Sequence, residues 1–197
     1  MSKTVEFFFD LGSPASYLAH TQLPALCREC DAELVYRPML LGAVFQATGN
    51  ASPAMIPAKG RYMLRDLARF AERYGVPMRF NPHFPINTLT LMRLLVAVQL
   101  HQPTRLNDAL QALFQAIWVD GTNMGDPARV TEVLTAAGFD AQALQAQIAE
   151  PAVKDALKAT TEEAVKRGVF GAPTCFVGEA MFFGQDRLDF VREALTD

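Results

Sequence analysis

The pattern of apolar and polar positions changes character twice along the chain. Residues 4–9 form a short β-branched and aromatic run, which predicts a buried strand. Asp10-Leu11-Gly12 is a turn signal, and Ser13-Pro14 then opens a helix. Serine is a preferred N-cap, and proline suits the first helical position because its missing N–H would have no intrahelical partner there. Leu18, Leu23, Leu26, Cys27 and Cys30 mark the buried face of that helix. Residues 33–39 read as a second strand that ends near Pro38, since proline cannot donate to a ladder.

The middle of the chain is helical in period. Residues 42–57 read as loop, with Gly49, Asn50, Ser52 and two prolines. Residues 59–74 are amphipathic: Arg61, Arg65, Arg69, Glu72 and Arg73 lie on one face, Met63, Leu64, Leu67 and Phe70 elsewhere. Gly75-Val76-Pro77 stops that helix, and Asn81-Pro82-His83-Phe84-Pro85 predicts a rigid turn. Further helices are predicted over 88–101, 105–119, 127–137, 141–150 and 153–167, the last ended by Gly168. The β pattern then returns. Residues 174–177 and 181–183 form a hairpin across Gly178-Glu179, and 186–195 a closing helix. A parallel βαβ start and a ββα finish predict a small mixed sheet flanked by helices. This α/β class is the thioredoxin-like plan. Residues 1–41 and 168–197 would form its thioredoxin-like domain, and 42–167 a helical insertion with a connecting helix.

Composition narrows the function classes. A chain of 197 residues with 50% apolar content can bury one substantial core. Its net charge is −3, and its lysines and arginines are scattered, which argues against a nucleic-acid partner. No apolar run reaches the roughly 18 residues of a membrane span. Met1-Ser2-Lys3-Thr4 leads straight into the first strand without the small-residue cleavage site of a secretory signal. The three cysteines form no disulfide framework. Together these features predict a soluble, cytoplasmic protein. Cys27-Arg28-Glu29-Cys30 sits at the end of the first helix, where the dipole disfavours a thiolate, and no second pair offers zinc spacing. No metal site is expected, and Cys175 reads as core filler.

Two ends of the chain carry a resemblance. Phe9-Asp10-Leu11-Gly12-Ser13-Pro14-Ala15-Ser16-Tyr17-Leu18-Ala19 resembles the opening of 2-hydroxychromene-2-carboxylate isomerases and kappa-class glutathione transferases. Gly168-Val169-Phe170-Gly171-Ala172-Pro173-Thr174, with Phe183-Gly184-Gln185-Asp186-Arg187-Leu188, resembles their glutathione-binding half. Ile56-Pro57-Ala58-Lys59 with Tyr62, and Asn81 through Thr88, are similar to the isomerase branch. The terminal motifs are shared with the wider DsbA-like superfamily. The resemblance implies glutathione as cofactor, a small aromatic carboxylate as substrate and a homodimer. The implied reaction converts 2-hydroxychromene-2-carboxylate to trans-o-hydroxybenzylidenepyruvate in the degradation of naphthalene-type aromatics, by thiolate addition, bond rotation and elimination. A kappa-like transferase and a non-catalytic thioredoxin-fold binding protein are the competing readings.

The chemistry makes definite demands on the residues. A thiol attacks carbon as its thiolate. Lowering a thiol pKa by two units takes about 2.7 kcal/mol of selective stabilisation. A helix N-terminus supplies ~0.3–1 kcal/mol, and at most ~2. A hydrogen bond to the charged sulfur, worth ~1.5–3 kcal/mol, is the natural supplement. By resemblance that donor is Ser13. Read from the local pattern alone, Ser13 is an N-cap. Oxidoreductases of the superfamily carry Cys-x-x-Cys where this chain has Ser13-Pro14-Ala15-Ser16, which argues against thiol–disulfide exchange. Pro173 resembles the cis-proline of thioredoxin-like folds, which places the role of pairing with the cysteinyl backbone of glutathione on Ala172; its plain alternative is a trans proline at a strand start. Gln185 and Asp186 are implied to hold the γ-glutamyl end, with Asp186 otherwise a helix N-cap. Asn50 and Lys59 match glutathione-contacting positions, Lys59 otherwise being a solvated helix-start lysine. His83, Phe84, Asn87, Thr88 and Phe170 are candidates for the second substrate's pocket. His83 could move a proton near neutral pH, or serve structure alone.

Overall fold

Strand β1 (Thr4–Phe9) runs through the middle of a four-stranded sheet of order β2-β1-β3-β4. It pairs in parallel with β2 (Glu33–Pro38), Thr4 opposite Glu33 and Phe9 opposite Pro38. On its other side it pairs antiparallel with β3 (Thr174–Val177), which turns through Gly178 at φ +57° into β4 (Ala180–Phe183). The computed structural model describes residues 3–196; residues 1, 2 and 197 of the expected thioredoxin-like segment lie outside the described residues.

Both faces of β1 are covered along its second half, which is why three consecutive phenylalanines there are all buried instead of alternating with polar residues. Successive side chains point to opposite faces. Phe7 and Phe9 stack at 5.0 Å on one face and join the larger core cluster with Tyr36, Phe114 and Trp118. Phe8 points the other way, into a smaller cluster with Met39, Val44, Ala164, Val169 and Phe176. Over Phe8 and Phe176 lies a ring of charge. Glu6 accepts from Arg167 at 2.8 Å and from Arg37 at 3.3 Å, and Glu163 closes the ring by pairing with both arginines. Arg167 rests 3.8 Å from the Phe176 ring centroid. The ring ties α8 (Pro151–Lys166) to the sheet.

Helix α1 (Pro14–Glu29) buries Leu18, Leu23, Leu26 and Cys27 as the pattern predicts. Cys30 is its half-buried C-cap. Helix α3 (Pro57–Tyr74) stops at Gly75, whose φ of +65° is the left-handed geometry glycine adopts freely. Helices α4 (Leu89–His101), α5 (Leu106–Trp118), α6 (Pro127–Ala136) and α7 (Ala141–Gln147) follow in the predicted places. The large core cluster runs from β1 through α4 and α5 without a break.

Two expectations need correction. Residues 42–57 are not loop throughout: Leu41–Thr48 is helix α2, and Pro53–Met55 is a 3-10 turn. Gly49, read as a loop signal, is the left-handed residue that ends α2 at φ +71°. Leu40, the N-cap, offers no side-chain bond; its own N–H donates to Thr161 and that of Leu41 to Asp10, at 3.0 and 2.8 Å. The helix thus starts on side chains far away in sequence. The closing helix is also shorter than expected, because Gln185–Arg187 is a 3-10 turn and α9 spans Leu188–Thr196.

His20 lies in the core, its ring 5.1 Å from that of Phe114 and its Nδ1 3.4 Å from the Tyr36 hydroxyl. Burial pulls its pKa down to about 4. The unfolded chain therefore binds a proton near its ordinary value, about 6.5, that the folded chain refuses until about 4. Stability should fall as pH drops through that window, by up to about 1.4 kcal/mol per unit at its steepest. Urea denaturation of the wild type and of His20→Phe at a series of pH values tests this: the slope belonging to His20 should disappear in the variant.

Candidate active site

The turn from β1 to α1 is held from outside itself. Asp10 is 1% exposed. Its Oδ1 accepts from the Gly12 N–H and its Oδ2 from the Leu41 N–H, both at 2.8 Å, and the Thr88 hydroxyl donates to it as well. Burial pushes the Asp10 carboxyl above the usual carboxylate range, and these three donors pull against that. The Leu11 carbonyl accepts from the Trp118 indole N–H at 2.8 Å, and the Leu11 N–H meets Met92 Sδ at 3.4 Å. Gly12 is packed so closely that a Cβ there would stand 3.0 Å from Thr88 Cγ2.

Ser13 emerges from this turn as the N-cap of α1, with φ −95° and ψ 113°. It is 5% exposed. Its hydroxyl oxygen accepts from the Ser16 N–H and its proton goes to the Ala172 carbonyl, each at 3.1 Å. The Ala172–Pro173 peptide is cis, as the resemblance implied. A second cis bond, Phe84–Pro85, was not expected. The Pro173 carbonyl accepts from the Gly184 N–H at 2.9 Å, which sets the end of β4 beside this loop.

Other expected site residues join the same assembly. The Asn50 side-chain amide donates to the Phe170 carbonyl at 2.8 Å, tying the segment after α2 to the loop before β3. Phe170 packs at a tilt against Phe183, with centroids 4.6 Å apart, and Phe183 covers Gly171 so closely that a Cβ there would lie 2.7 Å from its ring. Gln185 is buried, and its carbonyl accepts from the Tyr74 hydroxyl at 2.6 Å. Asp186 does not cap α9; its carboxylate pairs with Arg187. A cleft of about 230 Å³ opens beside Asp186, lined by Arg73, Tyr74, Asp189, Arg192 and the later turns of α1, and it does not reach Ser13 or Ala172. Lys59 is exposed in the first turn of α3.

The residues proposed for a second pocket are placed less uniformly. Thr88 is buried and bonded to Asp10. Phe84 packs on Phe80 and Trp118, with centroids at 5.2 and 6.1 Å. Asn87 accepts from the Leu89 N–H at 3.1 Å. His83 is exposed, its N–H donated to Asn81 Oδ1 at 2.8 Å. Asn81, 1% exposed, also donates to the Ile117 and Thr122 carbonyls at 2.9 Å each, which makes it the anchor of that turn.

Two of the chain's thiols are poor nucleophiles, and Cys30 caps the far end of α1 from Ser13. Burial, with Cys30 nearby, pushes the Cys27 thiol up to about 11, and burial raises Cys175 further. Any thiol chemistry at Ser13 must use a sulfur brought from outside. The DSBA-like thioredoxin domain model matches residues 4–196. The chain belongs to the DSBA-like thioredoxin family. Within that family it is 34% identical to a 2-hydroxychromene-2-carboxylate isomerase of Sphingobium xenophagum, over the whole of both chains. It is 32% identical to human glutathione S-transferase kappa 1, over the whole of this chain and 92% of that one. A solved 2-hydroxychromene-2-carboxylate isomerase structure superposes with a TM-score of 0.88 at 28% identity, covering 98% of this chain and 94% of that one. This DSBA-like protein is an enzyme of the group those relatives define. No helix among its described residues is long and apolar enough to cross a membrane.

Asp10 and Trp118 hold the turn that presents Ser13, which sequence reasoning missed. Asp10 read as a turn residue and Trp118 as core. The available signal was a carboxylate directly after the Phe7-Phe8-Phe9 run, where burial demands partners. Ser16 holds the last position of the DSBA-like turn motif. Its hydroxyl is buried without a hydrogen-bond partner among the described residues. Removing an unsatisfied buried hydroxyl recovers its desolvation cost, so Ser16→Ala should stabilise the protein by about 1 kcal/mol. Thermal melting read by circular dichroism checks this; a loss of that size instead would mean that the hydroxyl has a partner.

Proposed function

We propose that this enzyme is a glutathione-dependent isomerase that converts 2-hydroxychromene-2-carboxylate to trans-o-hydroxybenzylidenepyruvate in the breakdown of naphthalene-type aromatics. The observation that carries the reading is the Ser13–Ala172 hydrogen bond, which joins a helix-capping hydroxyl to the residue before the cis-proline in a turn without cysteine. The residues fit a thiol tripeptide. Ser13 has a proton to redirect toward a sulfur anion, while its oxygen keeps accepting from Ser16. The Ala172 carbonyl that loses that proton can accept a cysteinyl N–H in its place, as an added strand would provide. Gln185 and Asp186 would hold the γ-glutamyl end, and Asn50 and Lys59 the remainder.

Held by these residues, glutathione would supply a thiolate nucleophile for reversible addition to the alkene of the ring-opened cis enone and would not be consumed. Ser13 donates to the sulfur and forms no covalent bond itself. The start of α1 adds its partial positive charge. Phe170, packed against Phe183, offers an aromatic face to the second substrate, and the exposed His83 a proton-transfer group.

Incubating the enzyme with the chromene carboxylate and sub-stoichiometric glutathione tests this reading. Turnover should continue with glutathione unconsumed; stoichiometric conjugation would assign it to transferase chemistry instead, and a melting temperature unmoved by glutathione would favour a non-catalytic protein. Ser13→Ala should reduce kcat by about 10²–10³, the usual cost of one donor to a developing anion, with a smaller change in glutathione Kd. Wild-type turnover in Ser13→Ala would remove Ser13 from the mechanism.

A further inference from the structure

We propose that Asp10 is the positioning residue of this site: its carboxylate, bonded to Gly12, Leu41 and Thr88, fixes where the Ser13 hydroxyl points and so governs how far a bound thiol ionises. The inference rests on the reading of Ser13 as donor to a glutathione thiolate.

Four observations carry it. Asp10 has no access to solvent or substrate, so it acts through other groups. Its partners come from its own turn, from the start of α2 and from the residue before α4. Each is a donor, and a carboxylate accepts only, so the ionised form satisfies all of them at once. Its backbone carbonyl accepts directly from the Ser13 N–H at 3.0 Å, so a displacement of Asp10 is passed to Ser13 with no intervening residue that could absorb it. Gly12 reinforces the coupling. A Cβ there would lie 3.3 Å from Asp10 Oδ1 and 3.0 Å from Thr88 Cγ2, so carboxylate, turn and threonine are in close contact.

The chemistry separates positioning from mere charge. An anion beside the site opposes a second anion, so if Asp10 acted only by its charge, neutralising it would favour the thiolate. If it acts by aiming Ser13, neutralising it disfavours the thiolate. Asparagine has nearly the shape of aspartate but one acceptor fewer, and its NH2 must face a backbone N–H, donor against donor. Asp10→Asn therefore breaks the tie to Gly12 or to Leu41, and the sign of the change in thiol titration tells the two roles apart.

The experiment titrates the thiol of enzyme-bound glutathione by its ultraviolet thiolate absorbance in the wild type, Asp10→Asn and Ser13→Ala, with kcat and glutathione Kd measured alongside. In Asp10→Asn the bound thiol should titrate about one unit higher, a tenfold loss of thiolate below its pKa. kcat should fall with it, by about tenfold. Glutathione Kd should stay within threefold of the wild type, on the order of 0.7 kcal/mol. An unchanged titration, or a shift to lower pH, overturns the proposal. If Asp10→Asn does not fold, Thr88→Val and Thr88→Ser take its place: valine should raise the thiol titration and serine restore it, and a valine variant at the wild-type value overturns the proposal equally. Wild-type enzyme that shows no bound thiolate sinks both this inference and the isomerase reading. A thiolate lost in Ser13→Ala but kept in Asp10→Asn sinks this one alone.

Discussion

The β1–α1 turn cannot satisfy its own polar groups, and much of the architecture serves to do so. Three residues separate the last strand position from Ser13, and the turn's own bonds, from the Ser13 and Gly12 N–H groups to Asp10, leave Leu11 and the second carboxylate oxygen of Asp10 to find partners elsewhere. Leu11 is buried, and it finds partners on α4 and α5, in Met92 and Trp118. Asp10 is buried as well and reaches α2 and Thr88. Each of those bonds, if lost, would leave a desolvated group costing about 1–3 kcal/mol. The helices between the two halves of the sheet are therefore part of the site's support, because without them the turn that presents Ser13 would be full of orphaned donors and acceptors.

A serine suits this place for a reason of valence. A hydroxyl has one proton to give and lone pairs to accept with. Ser13 spends the acceptor side on Ser16 and the donor side on Ala172, so capping α1 and holding a ligand's sulfur are compatible tasks. A thiolate in the same position could accept but not donate. Burial holds the protons on Cys27, with a pKa pushed up to about 11, and on Cys175. The start of α1 thus presents a hydroxyl and no sulfur of its own.

What could be read from sequence follows the range of the forces involved. The strands, α1 and the amphipathic α3 were legible because their signals are local: β-branched and aromatic runs, Ser-Pro at a helix start, charge on one face. The Ser13 and Pro173 neighbourhood was legible through resemblance, and the observed Ser13–Ala172 bond unites them across 159 residues. Helix α2 was not legible, since its first amides are satisfied by Asp10 and Thr161, 31 and 121 residues away. Asp10 and Trp118 hid for the same reason. Their side chains look like turn and core, and their role appears only when a partner 107 residues from Trp118 is in place. Thr88 was singled out for a substrate pocket, yet the bond it makes is to Asp10.

The γ-glutamyl end of the proposed site shows how a weak pair can serve recognition. Asp186 is bent back over Gly184, where φ is +104° and any Cβ would collide with the carboxylate, so glycine is required for the turn. In that position the carboxylate meets Arg187 instead of capping α9. Their side chains are 34% and 50% exposed, so water screens the pair and its worth is ~0–1 kcal/mol. An incoming ammonium would displace Arg187 at little cost, and the released guanidinium would remain within reach of the adjoining carboxylate of the same zwitterion. Two adjacent residues of opposite sign, neutralising each other until a ligand of both signs arrives, keep an exposed turn free of unpaired charge without committing either group strongly to the other.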